Sequence, residues 1–236
     1  MRCNLWLRST RLACLLFAIP ILPTQAGAAA KVHVITFGKW TPVPWLTGSA
    51  TGEKPAIVTI RIRALIVDGR VKEYVLGPPH EVTDRIFAVR RVFRLNDSLP
   101  EEAAPRWQWQ RGGWLLVDRT TGRVSPISLP EFDVLYSAAS WYRDYVAYCG
   151  VSDDGRTTYA VVAQIGRRKP VLKKPLSGSG LPDDAPPDSA CASPAWQRAP
   201  ARVSFEPSVG TKQTFAIRGH VVDLVNDEED EEDASK

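Results

Sequence analysis

The chain has 236 residues and a formal net charge of +4. That net value hides a split: residues 227–236 carry seven acids against one lysine, while residues 31–226 carry 26 Lys and Arg against 19 Asp and Glu. Beyond the first 30 residues only Cys149 and Cys191 remain of the four cysteines, too few to close a structural zinc site.

The N-terminal segment has the order of a secretory signal peptide. Arg2, Arg8 and Arg11 precede the apolar run of residues 12–22, and small residues follow through Ala26, Ala28 and Ala30. The run is too short to span a bilayer. Cys14 lies at the start of the apolar run instead of following it, which argues against a lipid anchor. Removing residues 1–30 leaves 206, enough for one domain or two small ones with a real core. The expected location is therefore periplasmic or extracellular, with no transmembrane segment after signal removal.

Residues 42–55, PVPWLTGSATGEKP, read as a surface loop with Trp40 and Trp45 beside it. Residues 57–67 and 85–95 then alternate apolar and polar side chains with many β-branched residues, the pattern of half-buried strands. A helical period also runs through Val82, Ile86, Val89 and Phe93, but the preceding prolines and the β-branched content favour strand. Further strands are expected at 106–110, 114–118, 144–149, 158–165, 202–205 and 214–217, separated by short turns such as VDGR and RTTGR. The sequence thus predicts an all-β protein, an antiparallel meander.

Between two of these strands lies SDDG (152–155). The oxygen ligands of a helix–loop–helix calcium site alternate and end in a glutamate, whereas Asp153 and Asp154 are adjacent and no glutamate follows. Two catalytic carboxylates must converge across a substrate, and neighbours on a turn diverge. The hairpin turn is the expected reading. Past the next strand, residues 166–174 (GRRKPVLKK) form the densest basic stretch, with Arg167, Arg168 and Lys169 at its head. Residues 176–200 are rich in Pro, Ser, Gly and Ala and read as a long surface excursion. An even cysteine pair in an exported chain predicts a Cys149–Cys191 disulfide, which pins that excursion to the sheet with Trp196 as an anchor. The acidic block at 227–236 reads as a solvated, disordered tail.

Four stretches share an outline of apolar strand, glycine turn and second apolar stretch, around Gly69, Gly122, Gly166 and Gly219. Residues 114–124 (WLLVDRTTGRV) and 151–170 (VSDDGRTTYAVVAQIGRRKP) resemble the paired strands of β-propeller repeats. The resemblance implies a propeller-like scaffold of about four blades, with an irregular β-sandwich as the alternative. It is local to residues 112–174 and lacks the W-D and G-H pairs of the best-known repeat class. Propellers host binding proteins and enzymes alike, so the resemblance does not set the function.

The chemical constellations are sparse. HEVTD (80–84) lacks the second histidine of a zinc-protease helix, and no metal or cofactor is expected. His33, His80 and His220 are far apart in sequence, and no G-x-S-x-G elbow is present. Trp107 and Trp109 alternate with Gln108 and Gln110, so both indoles share one face, as on carbohydrate-binding platforms. Trp107, Trp109, Arg167, Arg168 and Lys169 are the candidate ligand-binding residues; no catalytic residue is assigned. The expected role is a non-catalytic binding or scaffold module of the cell envelope, with an envelope polymer or protein as partner in preference to nucleic acid. The alternative is a secreted hydrolase whose site is assembled from distant loops.

Overall fold

The computed structural model describes residues 32–47, 56–101, 103–176, 189–207, 210–218 and 221–225. The expected signal peptide, the stretch 177–188 of the Pro/Ser/Gly excursion, Gly219, His220 and the acidic tail lie outside them. The described residues are all-β and contain no helix. No helix among them is long and apolar enough to cross a membrane, which says nothing of crossing by strands.

Among the described residues, fifteen strands fall into three sheets. The first holds β1 (Ile35–Phe37), β2 (Thr41–Thr47), β3 (Ala56–Val67), β4 (Arg70–Glu81), β5 (Ile86–Asn96), β6 (Trp107–Asp118) and β7 (Val124–Pro126). The second holds β8 (Ala139–Tyr142), β9 (Tyr145–Val151), β10 (Thr158–Gln164) and β11 (Leu172–Pro175), and the third β12 (Ala195–Arg198), β13 (Ala201–Phe205), β14 (Gln213–Arg218) and β15 (Val221–Val225). The last two are four-stranded antiparallel meanders. Gly69 and Gly122 both turn strands of the first sheet and Gly166 turns the second, so the glycine recurrence does not map one turn to one sheet.

The first sheet closes on itself. β2 to β6 pair antiparallel in chain order, and β6 meets β2 in a parallel contact at Trp45 and Trp109. The sheet buries opposite faces in its two halves. On β3, Ile60 and Ile62 join Val43, Trp45 and Val92 in one core, whereas Leu65 joins Val75, Phe87, Val89, Leu115 and Val117 in another. An odd residue separation on a strand means opposite faces. On β6 the glycines Gly112 and Gly113 supply the switch. The β5 register shifts between Arg90 and Val92, leaving them opposite Arg91, and a Cβ on Gly112 would come 3.2 Å from Arg91 Cβ.

A third core joins the two four-stranded sheets. Cys149, Ala160 and Val162 pack with Val203, Phe205 and Phe215. The Cys149–Cys191 disulfide, with Cα atoms 5.9 Å apart, lies within this core. Trp196 of β12 packs against the same core and donates its Nε1–H to the Ser140 carbonyl at 3.1 Å.

The SDDG stretch is the loop of the β9–β10 hairpin. Val151 pairs with Thr158, Gly155 takes a left-handed φ of 70°, and Asp154 Oδ1 accepts from Ser152 Oγ at 2.6 Å and from the Arg156 amide at 3.1 Å. Asp154 is held below its ordinary pKa chiefly by the Ser152 hydroxyl. Its carboxylate therefore serves the turn.

Candidate functional site

The face of the first sheet that buries Trp45 runs out to solvent at the ends of β5 and β6. Cross-strand pairs share a face, so the register Trp45–Trp109–Arg94 places these three side chains in one row. Trp107 lies two residues from Trp109 on β6 and shares that face. The Arg94 guanidinium carbon lies 5.4 Å from the Trp107 ring centre and 5.6 Å from that of Trp109, within cation–π range of both. Tyr74 of β4 meets Trp109 edge-on at 5.1 Å. Burial grades along this row. Trp45 is 2% exposed, with Arg111 stacked 3.9 Å over it, while Tyr74 is 40% and Trp107 53% exposed. The array is thus the open rim of a packed core.

Both tryptophans share a face, as their alternation implies. The glutamines do not belong to that face. Gln108 pairs with Leu95, on the other side of the sheet, and donates to Asp97 Oδ2 at 2.6 Å. Sequence reasoning also missed Arg94 and Tyr74. Arg94 sits in a strand that reads only as amphipathic, and its approach to Trp107 and Trp109 depends on the β5–β6 register.

Charge pairing sets Arg94 apart from several of its neighbours. Arg91 pairs with Glu73, Arg106 with Asp97, Arg85 with Asp118 and Arg119 with Glu81. Asp118 is held well below the usual carboxylate range, mainly by its hydrogen bond from Arg85, and Glu81 is lowered mainly by Arg119. Arg94 is exposed and makes neither ion pair nor hydrogen bond with any described residue. Its N–H groups meet no acceptor among the described residues, while its guanidinium lies against two indoles.

The basic stretch 166–174 divides. Lys173 pairs with Glu131 at 2.5 Å and lies over Tyr159, and Lys174 lies over Phe215. Arg167, Arg168 and Lys169 are exposed and unpaired among the described residues. Arg167 and Arg168 line a pocket of about 350 Å³ between the first and second sheets, together with Leu116 of β6, Pro126 of β7, Leu129, Val146 of β9 and Ala163 and Gln164 of β10. Lys169 does not line it. The two tryptophans and the two arginines therefore belong to separate places.

The histidines give no catalytic arrangement among the described residues. His33 Nδ1 meets Asp68 Oδ2 at 2.8 Å. His80 stacks on Trp141 and donates Nε2–H to the Arg143 carbonyl at 2.7 Å. Neither ring bonds a serine, threonine or cysteine side chain there, so the nucleophile–base contact of covalent hydrolysis is not made. Among the described residues, no group of three or more His, Cys, Asp or Glu is placed to hold a metal ion. Compared with known proteins, the chain matches no family model, no curated protein and no solved structure.

Proposed function

We propose that this protein is an exported, non-catalytic binding module of the cell envelope, and that it holds an anionic sugar polymer on the Trp107–Arg94–Trp109 array. The supporting observation is the Arg94 guanidinium, held against two indoles with no acidic partner among the described residues. Indole faces accept the apolar C–H face of a sugar ring, and the free guanidinium edge donates charge-assisted hydrogen bonds to a carboxylate or sulfate. The ring spacing along one strand, about 7 Å between alternate residues, suits successive contacts along a chain. The basic excess of residues 31–226 adds long-range attraction for a polyanion. The disulfide accords with an oxidising compartment, in which envelope polymers are the accessible partners.

Thermal melts of the protein with a panel of anionic and neutral polysaccharides test this. An anionic polymer at about 100 times its Kd should stabilise by roughly 2.7 kcal/mol, and added salt should weaken the effect. Equal response to neutral and anionic polymers, or to none, would remove the proposal.

A further inference from the structure

We infer that the pocket between the first and second sheets is a second ligand site, distinct from the aromatic rim, and that it takes a carboxylate attached to an apolar body. Two observations converge there. Its wall is largely aliphatic, with Leu129, Val146 and Ala163 among the lining side chains, and its volume of about 350 Å³ falls in the range of small-molecule sites. Arg167 and Arg168 line it and pair with no described residue, in a chain where many other cations are paired.

The arginines are set in place by a tight turn. Gly166 has a φ of 85°, and the Arg167 amide donates to the Gln164 carbonyl at 3.1 Å. The pocket thus offers an aliphatic wall and two arginines for an anion. A free fatty acid matches both features, and so does the carboxyl end of a peptide with an apolar last residue. The shared chemistry is the carboxylate on an apolar body.

Titration followed by NMR, reading the backbone amides of residues 163–168, tests the inference with decanoate, N-acetyl-leucine and their neutral amides as probes. At least one acid should give saturable shifts at these positions at millimolar concentration, with its amide at least about tenfold weaker. Decanoate alone would assign an acyl source, and N-acetyl-leucine alone a peptide end. The R167A/R168A variant should melt like the native protein, since neither side chain has a described partner, and bind the acid at least about tenfold more weakly. A W107A variant should bind these acids unchanged, which separates this site from the aromatic rim. The inference fails if neither acid saturates, if an amide binds as well as its acid, or if R167A/R168A leaves the affinity intact.

Discussion

Arg90 is the one charged side chain buried among the described residues, at 7% exposure. It donates Nε–H to the Gly112 carbonyl at 3.1 Å and Nη2–H to that of Val134 at 2.7 Å, and its guanidinium lies 5.1 Å from the Phe132 ring centre. It thereby ties the first sheet to the segment leading into β8. The Arg90→Ala variant would leave buried carbonyls without donors and should lose about 3 kcal/mol in urea unfolding. Arg90→Lys should restore less than half, because a single ammonium cannot reproduce the planar fork. A loss below about 1 kcal/mol in Arg90→Ala would show that water replaces these bonds. Alternation along β5 already puts Arg90 and its neighbour Arg91 on opposite faces. What the sequence does not report is that the segment around Val134 covers the Arg90 side. The alternation of Trp107 and Trp109, by contrast, is a local property of the strand and was legible.

At the scale of elements, strands with period-two patterning were readable, and those containing proline were not. Residues 42–55 read as a loop, yet Thr41–Thr47 is β2. Pro42 and Pro44 alternate with Val43 and Trp45, which lie in the core, so the missing N–H groups need not fall on the ladder to β3. β4 runs through Gly77, Pro78 and Pro79 because its register with β5 breaks between Leu76 and His80, where Gly77 adopts a φ of 73°. The predicted strands 106–110 and 114–118 are one strand, β6, since two glycines within a strand mark a bulge as well as they mark a turn. The disulfide was legible from the even cysteine count together with the signal-peptide pattern expected at residues 1–30. It closes a loop of about 43 residues, so replacing both cysteines by alanine should lower stability by roughly 4 kcal/mol in the chain-entropy view. Hydrogen exchange should then show β12–β15 losing protection before β2–β6, because the bridge joins β9 to the segment that enters the third sheet. Uniform loss across all three sheets would contradict that placement.

The whole molecule combines a closed sheet with two four-stranded meanders. All-β class followed from the strand signals, because hydrophobic period is set by neighbours in sequence. The closure of the first sheet rests on one parallel contact between residues 64 positions apart, at Trp45 and Trp109, and no local pattern reports such a contact. That contact also assembles the candidate site. It carries the row from buried Trp45 through half-buried Trp109 to exposed Arg94, with Trp107 beside them at the rim. On the proposed function this rim, and not the pocket lined by Arg167 and Arg168, holds the polymer. Calorimetric titration of the most stabilising anionic polysaccharide into the native protein and into the W107A variant separates the two. Affinity should be at least about tenfold weaker for W107A, or about 1.4 kcal/mol, with the unliganded melting curve unchanged because Trp107 is more than half exposed. Equal affinities in the two proteins would contradict it.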